Sequence, residues 1–304
     1  MTGAMSSTRA AIVDATHRLT HAGVPSPAVD AELLLAHVLG IPRGNLILSR
    51  EVSEDEQRAF NDLVEQRCRR KPLQHLTGEA GFRRLLLAVG PGVFVPRPET
   101  ELLVELAVRH VSEQPTPHTA VDLCAGSGAV ALSIATEVPQ THMTAVELSA
   151  DAVPWLKRNV LAHAAALHSV ASTIEVKQSD ARSIIGAAQA QLVTCNPPYI
   201  PDAATPQEPE VAHYDPPLAL FGGPDGLDLV RELRDVFAGL LAPGGLLLVE
   251  HADVQGESAP VGVPSLLREH MGSDGSAVWR DITDYRDLNG RPRVTAAYRA
   301  EAMR

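Results

Sequence analysis

The tetrapeptide Asn196-Pro197-Pro198-Tyr199 contains the residue types that could hold a planar amine. Each proline fixes its own φ at roughly −65°, restrains the residue before it and lacks an N–H donor. The loop therefore offers carbonyl acceptors without matching donors, and the Asn196 amide and the Tyr199 ring stand beside them. This pattern predicts a site for the NH₂ group of a carboxamide or an aminopurine, although Asn and Pro also form ordinary turns.

The nitrogen of such a group is a poor nucleophile, because its lone pair is delocalised. It reacts only when both hydrogens are held and an electrophile is pressed against it. The predicted chemistry is therefore group transfer to a conjugated nitrogen, achieved by positioning and electrostatics. The catalytic candidates are Asn196, Pro197 and Tyr199, and Pro198 joins them as a substrate-binding candidate.

A second candidate site is the loop Cys124-Ala125-Gly126-Ser127-Gly128, which follows a predicted strand at Thr119 to Leu123. Its glycines allow close approach of the backbone to a ligand, and a helix N-terminus after it favours a carboxylate or phosphate. Glu147 follows at about the 20-residue distance at which an acid can accept both ribose hydroxyls. The pair fits a dinucleotide or S-adenosylmethionine, and Glu147 could also be a solvated charge.

Two features favour S-adenosylmethionine. Val130 and Ala131 occupy the place of the third glycine of a dinucleotide fingerprint. Asp180 follows the third predicted strand, where it could meet an adenine amine. Asp180 fits a helix N-cap equally well.

Composition narrows the class of protein. The 304 residues include 26 Lys and Arg against 37 Asp and Glu, a net charge of −11, so no direct nucleic-acid partner is expected. The three cysteines, Cys68, Cys124 and Cys195, have no metal-ligand spacing, which indicates a reducing compartment and no metal site. The sequence shows neither a signal peptide nor a membrane-length apolar run, so we expect a cytoplasmic protein with no membrane partner.

The elements that must position these residues alternate between strand and helix after residue 99. The predicted strands are Thr119 to Leu123, His142 to Val146, Ile174 to Val176, Leu192 to Cys195 and Leu246 to Val249, with a closing antiparallel pair at Val278 to Ile282 and Val294 to Tyr298. This order indicates an α/β fold with a mostly parallel sheet and helices on both faces. Ligands bind such sheets at the strands' carboxyl ends, where the glycine loop, Glu147, Asp180 and Asn196 are all expected.

The first part of the chain has a different pattern. Residues 1–78 are predicted to be helical, with the N-cap pair Ser26-Pro27 and a capping box at Ser53 to Glu56. Residues 79–98 are predicted to form a β-hairpin linker around Gly90-Pro91-Gly92. The predicted domains are thus a helical domain, which could grip a substrate, a hairpin linker, and a catalytic domain at 99–304.

Four motifs in this order resemble one known family. They are Phe94-Val95-Pro96-Arg97-Pro98-Glu99-Thr100-Glu101, Asp122 to Gly128, Asn196 to Ile200, and Phe221-Gly222-Gly223-Pro224-Asp225-Gly226-Leu227. Together they resemble the release factor glutamine methyltransferases, also called the PrmC or HemK family, over almost the whole chain. The resemblance implies a Rossmann-like class I S-adenosylmethionine-dependent methyltransferase with a seven-stranded sheet.

The resemblance also implies roles for individual residues. The enzyme would methylate the glutamine amide nitrogen in the Gly-Gly-Gln loop of class 1 peptide chain release factors and release S-adenosylhomocysteine. Residues 124–128 would hold the methionine portion of the cofactor, Glu147 the ribose, and Asp180 with Ala181 the adenine. Asn196 is also expected to border the cofactor. Asn196 and Pro197 would accept hydrogen bonds from the target amide, and the Tyr199 ring would pack against the target glutamine. The chain departs from the family at three points: Cys124-Ala125 replaces Gly-Thr, Glu147 replaces Asp, and Ala181 replaces an aromatic.

Three rival functions remain open at this stage. An adenine amino-methyltransferase acting on DNA or RNA would use the same cradle, but the net charge of −11 and the lack of a basic domain disfavour it. A glutamine methyltransferase of a ribosomal protein would need the same chemistry. A cofactor-binding regulatory module without catalysis would have no physical need of an amide cradle.

Overall fold

The computed structural model describes residues 6–48, 51–185 and 189–301. The chain divides into two compact units. The helical unit comprises the chain up to Glu79 together with Pro206–Tyr214, and the sheet unit comprises Ala80–Thr205 and the chain from Asp215 onward. The segment Pro206–Tyr214 comes from the loop after the Asn-Pro-Pro-Tyr tetrapeptide, so that loop contributes residues to both units.

The secondary structure follows the predicted alternation. The helices are α1 Thr8–His21, α2 Pro27–Leu39, α3 Glu54–Cys68, α4 Leu73–Thr77, α5 Glu101–Ser112, α6 Ala129–Glu137, α7 Val153–Ala162, α8 Ala164–Ser169, α9 Pro209–Tyr214, α10 Asp228–Leu240 and α11 Val263–Arg268. The strands are β1 Ser6–Ser7, β2 Glu51–Val52, β3 Glu79–Phe82, β4 Leu85–Ala88, β5 His118–Leu123, β6 Thr141–Glu147, β7 Thr173–Gln178, β8 Ala190–Cys195, β9 Leu241–Glu250, β10 Trp279–Arg286 and β11 Pro292–Arg299. Short 3-10 helices lie at Arg43–Leu48, Pro98–Thr100, Ala181–Ser183, Pro217–Ala219 and Asp253–Gln255.

The helical unit forms its own core around Leu19, Leu34 and Phe60, which are fully or almost fully buried. The predicted capping box of α3 is confirmed, since Ser53 and Glu56 exchange side-chain and backbone hydrogen bonds. At α2, Pro27 occupies the first turn as predicted, but Ser26 makes no side-chain capping bond.

Helix α9 is tied into the helical unit by buried ion pairs. Glu210 accepts hydrogen bonds from Arg67 and Arg70, each at 2.7 Å, and Arg67 also donates to Asp30 at 2.7 Å. Burial alone would raise the pKa of Glu210, but the bonds from Arg70 and Arg67 outweigh burial and lower that pKa to about 2. Tyr214 adds a hydrogen bond from its hydroxyl to the Arg69 carbonyl.

The sheet unit contains a seven-stranded sheet in the order β10-β11-β9-β8-β5-β6-β7. Strands β9, β8, β5, β6 and β7 are parallel, and β11 and β10 add an antiparallel edge. Chain order reverses at β5, which lies between β6 and β8. The predicted class of fold, a mostly parallel seven-stranded α/β sheet with an N-terminal helical part, is therefore confirmed.

Both faces of the central strands are buried, as a parallel sheet requires. Along β9, Leu246 and Leu248 pack in the cluster that contains α5 and α6, whereas Leu247 and Val249 pack in the cluster that contains α10 and α11. This alternation follows from the two-residue period of a strand. It fixes the register on both sides, because a one-residue slip would exchange the two faces.

The hairpin lies where it was predicted, but its turn was misplaced. Strands β3 and β4 are joined at Arg83 and Arg84, and Arg83 takes a left-handed φ of 49°. Ion pairs from Arg83 to Glu137 hold this turn at 2.6 Å. The prediction used Gly90-Pro91-Gly92 as the turn, yet these residues follow the hairpin. A Cβ on Gly90 would lie 2.5 Å from the Trp155 ring, so the glycine allows close packing instead of chain reversal.

Candidate active site

The register of the parallel strands lines up four site positions along one edge of the sheet. Leu123 pairs with Val146 on one side and with Cys195 on the other, and Cys195 pairs with Val249. The residues that directly follow these partners are Cys124, Glu147, Asn196 and Glu250. Cys124, Glu147 and Asn196 are the positions that the sequence predicts at this edge, and Glu250 is an addition.

The glycine loop has an unusual backbone. Cys124, Gly126 and Gly128 all take left-handed φ values, at 61°, 54° and 87°. A Cβ on Gly128 would lie 2.5 Å from the side chain of Leu156, whereas a Cβ on Gly126 would meet no atom of the described residues within 4 Å. Gly128 is also the N-cap of α6. The loop thus leaves open space at Gly126 in front of a helix N-terminus, the arrangement predicted for a carboxylate or phosphate.

Glu147 is buried, and its carboxylate binds the backbone of the glycine loop. Its Oε2 accepts from the Gly126 N–H at 2.7 Å and its Oε1 accepts from the Ser149 N–H at 2.8 Å. Each carboxylate oxygen can accept about two hydrogen bonds, so one acceptor site on each oxygen remains. The alternative of a solvated charge does not fit a side chain in a residue that is only 9% exposed.

Asn159, which the sequence analysis did not single out, fixes the same loop from α7. Its Nδ2 donates to the Ser127 carbonyl at 2.9 Å and to the Ala88 carbonyl at 3.0 Å, and its Oδ1 accepts from the Ala88 N–H at 2.7 Å. The buried amide therefore joins strand β4 to the glycine loop. A single asparagine inside a predicted helix carries no sequence signal for such a role.

Asp180 lies just beyond β7 and caps the short helix Ala181–Ser183. Its Oδ1 accepts from the Arg182 N–H at 2.9 Å, and the Arg182 guanidinium binds the same carboxylate at 2.7 Å. The hydrogen bonds from Arg182 lower the pKa of Asp180. An amine that used this carboxylate would share it with Arg182. Ala181 is buried in the sheet's core beside Asp180.

The Asn196 side chain has an assigned orientation in the structure. Its Nδ2 donates to the Thr100 Oγ1 at 3.4 Å, and no described residue donates a hydrogen bond to its Oδ1. The following carbonyl, that of Pro197, likewise receives no hydrogen bond in the described part of the chain. Two oxygen acceptors thus follow one another at the end of β8. The prediction that the tetrapeptide ends a buried strand is confirmed.

The motif Phe221 to Leu227 packs directly on the backbone of the tetrapeptide. A Cβ on Gly222 would lie 2.3 Å from the Pro198 carbonyl oxygen, and one on Gly226 would lie 2.0 Å from the Tyr199 carbonyl oxygen. Gln255 donates from its Nε2 to the same Tyr199 oxygen at 3.0 Å. The glycines are therefore needed because the two loops touch backbone to backbone.

Glu250 is a buried acid that lies beside Asn196. It is 1% exposed, and burial raises its pKa to about 7, against the opposing effects of Thr100, Arg293 and Asn196. The sequence could have indicated Glu250, because it directly follows a predicted strand, as Glu147 does. The contact with Asn196 depends on strand order, which spacing along the chain does not give.

Asp122 and Cys195 fill the interior behind the edge. Burial raises the pKa of Asp122 to about 7, although the Thr194 hydroxyl donates to its Oδ1 at 2.7 Å. Burial also raises the pKa of the Cys195 thiol, which has Cys124 as a neighbour. A protonated, fully buried thiol is a packing group and not a nucleophile.

The described ranges show neither a metal site nor a membrane-spanning helix. Residues 6–48, 51–185 and 189–301 contain no group of three or more His, Cys, Asp or Glu that could hold a metal ion. No helix in these ranges has the length and apolarity needed to cross a bilayer.

The edge fits an adenosine-type cofactor with a charged tail. The open cradle at Gly126 and the two remaining acceptor sites on Glu147 are the features that such a molecule needs. Glu147 can accept from ribose hydroxyls without losing its bonds to the loop.

Comparisons with known proteins cover both parts of the chain. Residues 10–78 match the family described as PrmC N-terminal domain, and residues 88–212 match the family described as Methyltransferase small domain. The chain is 45% identical over 297 residues to a release factor glutamine methyltransferase from Streptomyces coelicolor, covering 96% of this chain and 98% of that protein. It is 42% identical over 301 residues to one from Mycolicibacterium smegmatis, covering 97% and 99%.

A solved structure offers a further comparison. The crystal structure of a release-factor-specific protein-(glutamine-N5) methyltransferase from Alicyclobacillus acidocaldarius is similar at 26% identity with a TM-score of 0.37. The match covers 70% of this chain and 99% of that one.

Proposed function

This chain belongs to the release factor glutamine methyltransferases, and we propose that it methylates the glutamine of the Gly-Gly-Gln loop of class 1 peptide chain release factors. The methyl group goes from S-adenosylmethionine to the side-chain amide nitrogen, and S-adenosylhomocysteine is the second product. Methylation at that loop modulates translation termination.

The observation that carries this proposal is the pair of acceptors at the end of β8. The Asn196 Oδ1 and the Pro197 carbonyl receive no hydrogen bond from the described residues, and they sit next to the glycine loop along the sheet edge. A primary amide has two N–H hydrogens to donate. Two neighbouring acceptors therefore match the amide of glutamine in number and in kind.

The geometry of the same edge supports the proposed cofactor-binding roles. S-adenosylmethionine supplies an electrophilic methyl group on a sulfonium sulfur. The loop from Cys124 to Gly128 holds its methionine portion, Glu147 accepts from the ribose hydroxyls, and Asp180 with Ala181 borders the adenine. The sharing of Asp180 with Arg182 favours a backbone contact at Ala181 over a direct carboxylate contact.

The chain's own residues activate the target by holding it. When Asn196 and Pro197 accept hydrogen bonds from both amide hydrogens, the nitrogen lone pair is directed toward the methyl group. The Tyr199 ring packs against the glutamine side chain. The nitrogen loses one proton after the transfer. The rate enhancement rests on positioning and on electrostatics prepared before the substrate arrives.

The helical unit is proposed to bind the release factor. The support is chain connectivity: the loop that begins at Asn196 contributes helix α9, which is held within the helical unit by Glu210. A protein substrate gripped by that unit would therefore bind residues continuous with the catalytic loop. The proposed domains are residues 1–78 for binding, 79–98 as linker and 99–304 for catalysis.

The test is methyl transfer from labelled cofactor to purified release factor, with and without replacement of the loop glutamine by alanine. The proposal predicts label on the wild-type factor only. Label that persists after the replacement would contradict the assigned target. Parallel reactions with DNA, RNA and ribosomal proteins test the rival functions. Label on one of these molecules without label on release factor would support the corresponding rival. Cofactor binding with no transfer to any acceptor would indicate a regulatory module.

A further inference from the structure

Glu250 has a place in the site but no role in the proposed methyl transfer itself. It ends β9, its residue is 1% exposed, and the register of β8 and β9 sets it beside Asn196. Its carboxyl group interacts with the side chains of Thr100 and Asn196, and its Oε2 has no hydrogen-bond partner in the part of the chain that the structure describes. An acid held this deeply needs a reason, because burying a carboxylate is costly.

The orientation of the Asn196 amide is the property that its neighbours can control. The oxygen and nitrogen of an amide have nearly the same size, so rotation by half a turn exchanges an acceptor for a donor at little steric cost. If Asn196 presented its NH₂ to a target NH₂, two donors would face each other. The hydrogen-bonding neighbours must therefore select one orientation.

The neighbours in the structure select the useful orientation. An ionised carboxylate only accepts hydrogen bonds, so Glu250 can face the Nδ2 of Asn196 but not its Oδ1. The Thr100 Oγ1 accepts from the same Nδ2 at 3.4 Å, which leaves the hydroxyl hydrogen free to donate to Glu250. With the nitrogen engaged inward, the oxygen is left for the substrate.

We propose that Glu250 is a positioning residue that, through Asn196 and with Thr100, keeps the Asn196 Oδ1 turned toward the target amide. This inference rests on the proposed function, because it assumes that Asn196 must accept a hydrogen from the substrate. Glu250 itself touches neither the substrate nor the cofactor.

The proposal has a consequence for pH, since only the ionised form of Glu250 selects the orientation. Burial raises the pKa of Glu250 to about 7. Above that pH the carboxylate holds the Asn196 nitrogen, whereas below it the protonated acid can donate to the Asn196 oxygen and stabilise the reversed amide. Turnover should therefore fall as the pH falls through about 7. The other charged or titratable groups that face Glu250 are Arg293, Glu99 and Tyr199.

The first experiment compares Glu250→Gln, Glu250→Asp and wild type by kcat and KM between pH 6 and 9, with release factor as substrate. Gln can both donate and accept, so Glu250→Gln should lower kcat by about 10²-fold, the cost of a misplaced group. It should also remove the pH step near 7 and leave cofactor affinity unchanged. Glu250→Asp keeps a carboxylate and should keep a pH step.

A matched control is Glu137→Gln. Glu137 is another largely buried acid of the sheet unit, but it pairs with Arg83 at the C-terminal end of α6. The same chemical change there should leave the pH step in place. A pH step that survives in Glu250→Gln would overturn the proposal.

A second measurement does not depend on the identity of the substrate. In protein labelled with ¹⁵N-asparagine, the Asn196 side-chain signal is assigned as the one missing from Asn196→Ser. Nuclear Overhauser contacts between its NH₂ protons and the Thr100 methyl group should be strong at pH 8.5 and weaken below pH 7 in the wild type. Contacts that are unchanged across this range would overturn the proposal, and the pH series itself is recorded on the wild type.

The two measurements separate the two claims. A wild-type protein that methylates no release factor would refute the proposed function, while the Asn196 spectrum would still decide the role of Glu250. Conversely, methylation of the loop glutamine with an Asn196 amide that ignores pH would leave the function intact and refute the positioning role.

Discussion

The residues of the candidate site offer acceptor oxygens, and hydrogen bonds to neighbouring groups hold their side chains in place. Glu147 is fixed by two backbone N–H groups, and the Asn196 nitrogen is fixed by Thr100. Both residues keep oxygen acceptors in reserve. The chemistry therefore depends on which lone pairs the fold leaves unused, and the identity of each residue alone does not determine this.

Glu147→Gln is expected to weaken S-adenosylmethionine binding by about 10- to 100-fold, because hydrogen bonds to a charged acceptor contribute about 1.5–3 kcal/mol. Isothermal titration calorimetry of the cofactor measures this directly. Glu175→Gln is the control, since the Glu175 side chain is 65% exposed and pairs with its strand neighbour Lys177 in β7. Equal affinity in wild type and Glu147→Gln would remove the ribose role from Glu147.

The position of individual residues at the sheet edge was predictable where a local sequence pattern indicated it. The tetrapeptide, the glycine loop and Glu147 were recognisable from residue types and spacing, and strand register brings them to one edge. Glu250 was missed, and so was Gln255, because their partners lie on other strands and loops. A contact set by strand order leaves no trace in the spacing of residues along one segment.

At the scale of elements, two loops with different sequences form one rigid support. The segment from Phe221 to Leu227 and the preceding Leu220 are hydrogen-bonded to Ile200, the residue after the tetrapeptide. The Ile200 N–H donates to the Leu220 carbonyl at 2.8 Å, and the Ile200 carbonyl accepts from the Gly222 N–H at 2.9 Å. The glycines in this segment let the two backbones touch. This support explains how the loop keeps the carbonyl groups of Pro198 and Tyr199 fixed.

Gly226→Ala should reduce turnover by about 10²-fold, because the new Cβ would displace the Tyr199 backbone and the cradle with it. Gly275→Ala is a close control: both glycines have a φ of 78°, but a Cβ on Gly275 would lie more than 4 Å from every neighbour in the part of the chain that the structure describes. Both variants should lose about 1–2 kcal/mol of stability through backbone strain. The comparison requires kcat and denaturant unfolding of both proteins.

If Gly226→Ala kept the turnover of Gly275→Ala, the backbone contact would have no part in catalysis. The paired design separates strain from contact, since only the contact differs between the two sites.

The elements themselves were predicted from periodicity, including the alternation of strand and helix and the closing antiparallel pair. The hairpin turn was misplaced because Gly90 and Gly92 carry a strong turn signal. Their actual function is to admit Trp155 and Asp151 at close range. Local patterns do not distinguish a glycine that turns the chain from one that makes room for a neighbour.

At the scale of the whole molecule, the loop after the tetrapeptide belongs to two units. Helix α9 is anchored by Glu210 in the helical unit, although the proline-rich sequence around it gave no indication of that placement. The connection was unpredictable because it depends on a buried ion network between residues some 140 positions apart.

Glu210→Gln should destabilise the helical unit by about 3 kcal/mol, because it leaves Arg67 and Arg70 without their shared carboxylate. Limited proteolysis should then cleave near Pro206–Tyr214 faster than in wild type. The folded pKa of about 2 lies below the usual value, so this stabilisation is present above about pH 4.5 and is lost as the pH falls toward 2.

Glu65→Gln serves as the control in the same unit. The Glu65 side chain is 54% exposed and pairs with Arg69, so its loss should change stability by less than about 1 kcal/mol. Equal proteolysis rates for Glu210→Gln and Glu65→Gln would contradict the anchoring role.

The central claim is that Asn196 holds the target amide while the cofactor binds independently beside it. Asn196→Ala tests it most directly in a single-turnover reaction with saturating labelled S-adenosylmethionine and release factor. The account predicts a methyl-transfer rate about 10²- to 10³-fold below wild type, the usual cost of removing one preorganised hydrogen-bonding group, with nearly unchanged cofactor affinity. Methyl transfer at the wild-type rate by Asn196→Ala would contradict it.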